Sequence, residues 1–327
     1  MCIISYKYLD CDNNKIYLFI NEWWYKMIKR ALVMSGGGSK GSWSLGALKA
    51  LVEAGRTWNS AHGVSVGALN TSYVAMHKPE EQGQMMPGLL SVWSGIKTSN
   101  DIYKPWAPLK LNYIAQFWKG SLYTGAPVKA LVTKFFDINK ARASGVKLTV
   151  GCTSLTDGKY KWFDQTSDQI LDFVVASAYS PIVFEPYKVN NDLLMDGGLR
   201  HQIPILEALK ENPDEIDVIL TEPIVREASN TPDSQLKSLE KVALGAVGIF
   251  SNQVYIEDCL DVIRAAEGKE GSKPIKVRIY APIKTPDIDS MNFDGPTMQK
   301  IIEIGYQETK AKIEGIDIPD MTTAEII

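Results

Sequence analysis

Two glycine-rich junctions constrain this chain most: Ser35-Gly36-Gly37-Gly38-Ser39-Lys40-Gly41, which follows an apolar run, and Gly63-Val64-Ser65-Val66-Gly67, each leading into a helical pattern. The run from Ala31 to Met34 is short, apolar and without polar alternation, as a buried parallel strand requires. After the first junction, Trp43, Ala47, Leu48, Leu51 and Val52 recur at helical spacing between Ser39 and Glu53, and Gly55 closes that helix. A second short strand ends near Gly63, and Val66–Met76 reads as a largely apolar helix. The alternation predicts an α/β fold: three layers, with a mostly parallel central sheet and helices on both faces.

Successive glycines turn backbone N–H groups into one concavity at the positive end of a helix dipole, which suits a phosphate or a developing oxyanion. Gly36, Gly38 and Gly41 also match G-x-G-x-x-G, with Glu53 near the place of a ribose-binding acid, so a dinucleotide-binding module is an alternative reading. The loop is not a phosphate loop of the G-x-x-x-x-G-K type, because the glycine follows Lys40. The second junction is a G-x-S-x-G elbow, in which a sharp turn lifts the serine hydroxyl above the sheet. Gly38 and Ser65 are 27 positions apart, about one βαβ unit. Neighbouring parallel strands would then set both loops at one sheet edge, with the glycine amides facing Ser65. A nucleophile and an oxyanion hole arise together, whereas a dinucleotide site explains only the first loop.

A serine nucleophile needs a base. Of the three histidines, His62 shares the strand leading to Ser65, and His77 lies at the far end of the following helix. His201 follows Asp196-Gly197-Gly198 closely, which leaves a Ser65–Asp196–His201 triad as the rival arrangement. Asp196, at the end of the apolar run Leu193–Met195, is the better candidate and would act directly on the Ser65 hydroxyl.

Together the three motifs resemble the patatin-like phospholipases, lipid acyl hydrolases with a G-G-G-x-[KR]-G loop, a G-x-S-x-G elbow and a D-G-[GA] motif. The segment from Ala176 to Phe184 also resembles the stretch preceding that family's aspartate strand, and the likeness runs from about Arg30 to Pro204. Ser35 departs from members that carry Asp there. The resemblance implies a Ser65–Asp196 dyad without histidine, an oxyanion hole at Gly36, Gly37 and Gly38, and no metal or organic cofactor. It implies phospholipid or another long-chain ester as substrate, with peripheral membrane contact. Without an imidazole in the cycle, the pH–rate profile should lack a limb near about pH 6.5. A catalytically silent, membrane-binding scaffold is a further alternative.

The remaining chain is read more coarsely. Residues 1–26 form an extension, either a leader or an interfacial segment with Trp23 and Trp24 beside Lys26, Lys29 and Arg30; residues 27–327 form one domain. Residues 78–125 carry Trp93, Tyr103, Trp106, Tyr113, Phe117, Trp118 and Tyr123, the pattern of a lipid-facing cap or of an aromatic-cored insertion. Lys147–Ser154 and Lys159–Phe163 should form a hairpin, Gln169–Ala178 a helix, and Ile216–Leu220 and Ile275–Ile279 further strands. Helices are expected over Pro127–Phe136, within Leu236–Ala266 and over Pro296–Ile313. A net charge of −3 lacks the positive field that nucleic acid demands, so that partner is excluded. Four scattered cysteines without C-x-x-C, no basic-then-apolar leader and no long apolar run lead to the expectation of a cytoplasmic protein.

Overall fold

The computed structural model describes residues 6–10, 15–19, 28–108, 110–224, 239–267 and 275–315. Strands β1 (Tyr6–Asp10) and β2 (Lys15–Phe19) pair antiparallel with each other. Trp23 and Trp24, the expected interfacial anchor, lie outside the described residues.

The domain proper starts at β3 (Arg30–Met34), followed by α1 (Gly41–Glu53), β4 (Ser60–Gly63) and α2 (Val66–Val74). Next come α3 (Met86–Gly95), α4 (Lys110–Lys119), α5 (Ala126–Phe135) and α6 (Ile138–Ala143). The expected hairpin forms from β5 (Lys147–Ser154) and β6 (Tyr160–Asp164), and α7 (Ile170–Ser177) leads to β7 (Tyr187–Val189) and β8 (Asp192–Asp196). The chain continues through α8 (Ile205–Lys210), β9 (Glu215–Ile219), α9 (Leu239–Glu267), β10 (Lys276–Tyr280) and α10 (Gly295–Ile313). Proline at the first turn and the Asp294 carboxylate, accepting from Thr297 N at 2.9 Å, fix the start of α10.

The sheet runs β10-β9-β3-β4-β5-β8-β7, with β6 also on β5. Its first five strands are parallel; β8, β7 and β6 join antiparallel. Period-two packing makes three layers: Leu32 and Met34 of β3 enter one apolar core, and Ala31 and Val33 enter the other. The two cores hold the helices on opposite faces. The mostly parallel α/β architecture expected from the strand–loop–helix alternation is the one observed.

The register decides where the motifs meet. β4 runs parallel to β5 and ends with Gly63 opposite Val150. β8 runs antiparallel to β5 and ends with Asp196 opposite Cys152. Two oppositely directed strands therefore terminate within two β5 residues of each other, roughly 7 Å along the strand. The antiparallel strand at the edge of the parallel set thus carries Asp196 to the end of the Ser65 strand.

Candidate active site

Ser65 sits between β4 and α2 with φ 56° and ψ −129°, a left-handed conformation that a non-glycine residue rarely adopts. Strain of this kind costs about 1–3 kcal/mol and persists only where its surroundings impose it. Here the Ser65 N–H donates to Ser177 Oγ at 2.9 Å, and the Ser177 hydroxyl donates to the Gly151 carbonyl at 2.7 Å. The elbow is pinned to β5 through α7. A side chain at Gly67 would run into the Met34 carbonyl oxygen at 2.2 Å, so the start of α2 packs directly on the end of β3.

The Ser65 hydroxyl stands close enough to the Asp196 carboxylate to favour its ionised form. Asp196 is buried; its Oδ1 accepts from Gly198 N at 2.8 Å, and its own N–H donates to the Tyr179 carbonyl at 2.9 Å. Burial pushes the Asp196 carboxyl up to about 6, against the opposing pull of the Ser65 hydroxyl and the Gly198 N–H. The group is thus a mostly ionised carboxylate at neutral pH with a basicity near that of imidazole.

The Gly36–Gly38 loop lies against the elbow: a Cβ built on Gly36 would be 3.1 Å from Ser65 Cβ. Of its three amides, that of Gly36 donates to the Gln202 carbonyl at 3.1 Å. Among the described residues, the Gly37 and Gly38 N–H groups meet no acceptor. Gly37, at φ 148°, leaves no room for a side chain, since Thr221 Oγ1 would stand 2.2 Å from its Cβ. Thr221 Oγ1 donates to the Gly36 carbonyl at 2.5 Å, and Ser39 N donates to the Ser290 carbonyl at 2.9 Å. The loop is clamped by residues that follow β9 and β10.

The three histidines are all turned to partners other than Ser65. His62 is fully buried, paired with Thr149 Oγ1 at 2.5 Å and Ser60 Oγ at 3.0 Å, and burial depresses its pKa to about 3. His77 Nδ1 lies 3.0 Å from the Tyr73 carbonyl. His201 Nδ1 is 2.9 Å from Asp258 of α9, with the ring edge-on to Tyr160. Asp258, itself buried, also accepts from Gln202 N at 2.5 Å and Ile203 N at 2.9 Å. Sequence inspection missed Ser177, Gln202, Thr221 and Asp258 because each acts through backbone hydrogen bonds, which leave no motif.

Lys40 is paired with Glu222 at 2.5 Å and both are largely buried, so the bridge ties the loop to the segment after β9. Glu53 ends α1, about 18 Å along the helix from Gly41. It binds Lys49 at 2.8 Å and the Tyr306 hydroxyl at 2.7 Å, which separates it from the glycine loop it would have to serve in a dinucleotide site. Among the described residues, no group of three or more His, Cys, Asp or Glu is arranged to hold a metal ion.

Of the expected cap aromatics, Trp93 is core, its Nε1 donating to Asn70 Oδ1 at 3.0 Å. Tyr103 and Tyr123 stack obliquely at 4.7 Å, Trp106 donates to Ser121, and Trp118 is exposed. The side chains of Tyr113 and Phe117 lie outside the described residues.

A strained serine elbow at the end of a parallel strand lies against a glycine loop and beside a buried carboxylate, an arrangement suited to nucleophilic attack on an ester. The model of the patatin-like phospholipase family matches residues 32–209, more than half the chain and all three motifs, and the chain belongs to that family. Lipid hydrolysis is the activity class that this membership carries. The uncharacterized protein YqhO of Bacillus subtilis (strain 168) is 26% identical over 213 residues, 60% of this chain and 72% of that protein. Among solved structures, human GIVD cytosolic phospholipase A2 superposes with a TM-score of 0.50 at 9% identity, covering 88% of this chain and 62% of that one. VipD from Legionella pneumophila gives 0.43 at 14% identity, over 95% and 70% of the two chains. Among the described residues, no helix is long and apolar enough to cross a membrane.

Proposed function

We propose that this protein is a serine lipid acyl hydrolase, of phospholipase A or lysophospholipase type, working through a Ser65–Asp196 dyad. The observation that carries the reading is the strained Ser65 elbow placed beside the buried, desolvated Asp196 carboxylate, where β4 and β8 end within two β5 residues of each other, while His201 is turned to Asp258. Asp196 takes the Ser65 proton as Oγ bonds to the ester carbonyl carbon. The Gly37 and Gly38 amides receive the negative charge that develops on the carbonyl oxygen; the Gly36 amide, spent on Gln202, shapes the loop instead. Collapse of the adduct expels the alcohol portion of the lipid, which leaves with the proton held by Asp196. A water then repeats the sequence on the acyl-enzyme, releasing the fatty acid and restoring Ser65.

Because the Asp196 carboxyl stands at about 6, activity should fall below that pH and level off above it. The acid limb of the profile therefore coincides with the one a histidine would give, and its presence does not separate dyad from triad. Labelling does. A long-chain fluorophosphonate should modify one serine, mapped to Ser65, and Ser65→Ala should lose both label and ester turnover while keeping its fold. Modification of a different serine, or turnover by Ser65→Ala, would reject the assignment.

A further inference from the structure

Helix α4 shows solvent an apolar stripe. Leu111, Ile114 and Trp118 are 62%, 60% and 80% exposed, and their i, i+3, i+7 spacing sets them on one side of the helix. The surrounding sequence has an unusual charge pattern: residues 102–136 contain five lysines and no aspartate or glutamate, in a chain whose net charge is −3. Lys104, before α4, and Lys119, its last residue, are exposed, and Lys119 Nζ lies 5.0 Å from the Trp106 ring centre. Lys129, further along, stands 3.8 Å from Asp172 and is already matched.

The stripe is joined to the catalytic loops. Just after α4, Leu122 N donates to the Ile182 carbonyl at 2.8 Å and Tyr123 N to the Val183 carbonyl at 2.9 Å. The same 179–184 segment holds the Asp196 N–H through the Tyr179 carbonyl. On the Gly36 side, α9 offers an uncharged run, Val242–Phe250, with Ile249 and Phe250 exposed; its Ser251 carbonyl accepts from Gln202 Nε2 at 3.1 Å.

We propose that α4 is an interfacial docking helix that seats the catalytic face on an anionic phospholipid bilayer. Leu111, Ile114 and Trp118 enter the boundary between headgroups and acyl chains, and Lys104 and Lys119 meet the headgroup phosphates. The choice of a lipid occupant rests on the lipid-hydrolase reading; the preference for an anionic one rests on the acid-free lysine run.

The test is sedimentation of the full-length Ser65→Ala chain with phosphatidylcholine vesicles, with and without phosphatidylglycerol, at low and high salt. Binding should require phosphatidylglycerol and weaken with salt. Trp118→Ser or Ile114→Ser should reduce partitioning about tenfold, the ratio set by burial of one large apolar side chain. Lys119→Gln should reduce it about fivefold. Each variant's melting temperature is checked against the parent, and Trp118→Phe, which keeps an apolar ring, should retain most binding. No binding to either vesicle, undiminished binding by correctly folded serine variants, or a lipid-free dimer that these variants abolish would overturn the proposal. Failure of docking alongside fluorophosphonate labelling of Ser65 would refute the surface and spare the hydrolase; vesicle binding without labelling would do the reverse.

Discussion

Asp196→Asn should make this protein more stable and nearly inactive. In the folded state burial raises the Asp196 carboxyl from 3.8 to about 6, so the fold holds this proton more tightly than the unfolded chain does. The sign follows from linkage: the stabilising effect of the neutral form is fully present below about pH 4 and is lost as pH rises through about 6. Above that the ionised carboxylate works against the fold. A shift of about two pH units corresponds to roughly 3 kcal/mol. Asparagine has the same shape, can accept from Gly198 N and can donate to Ser65 Oγ, but never has to be ionised in a desolvated site. Urea unfolding at about pH 4 and about pH 8 should therefore show the variant gaining roughly 2 kcal/mol over the parent between the two conditions, at an unchanged denaturant slope. Ester turnover at about pH 8 should fall by about 10²–10⁴-fold, the usual worth of a general base. A stability difference independent of pH would show that the carboxylate is not desolvated. Retained turnover would show that it is not the base.

Other perturbations probe the supports of the site. His201→Ala should leave most turnover, since His201 faces Asp258; a loss as deep as that of Ser65→Ala, with the fold intact by circular dichroism, would install the triad. Gly37→Ala places a Cβ 2.2 Å from Thr221 Oγ1 and should cost about 10²–10³-fold in kcat, with melting temperature as the control. Asp258→Ala frees the 201–203 backbone and with it the Gly36 anchor, so kcat should drop while the acid limb near about 6, which belongs to Asp196, stays in place in the pH profile. Within β9, Asp217 is fully buried between Arg56 and the Trp58 indole N–H; Asp217→Ala leaves Arg56 paired with Glu215 alone and the buried Trp58 N–H without its acceptor, and should destabilise by about 1–3 kcal/mol in urea unfolding.

The sequence by itself determined whatever a few consecutive residues can encode. Glycines at 36–38 and around Ser65 permit the loop and the elbow, and the apolar run Ala31–Met34 before the first forces a buried strand. The parallel half of the sheet followed, as did the likeness that the family match bore out. Asp196 was legible as an acid ending an apolar strand and as the candidate base for Ser65, but not its approach to Ser65 or its basicity. Those depend on β8 running antiparallel along β5, so that Gly63 and Asp196 end opposite Val150 and Cys152, and on the burial that results. The Gly36–Gln202, Gly36–Thr221, Ser39–Ser290 and Asp258 bonds were likewise invisible, since each joins residues far apart in the chain and at least one end of each is a backbone group that any residue type supplies. Chain-local steric permission is written in residue identity; which amide stays unpaired, and which carboxylate loses its water, is decided only when distant strands close around them.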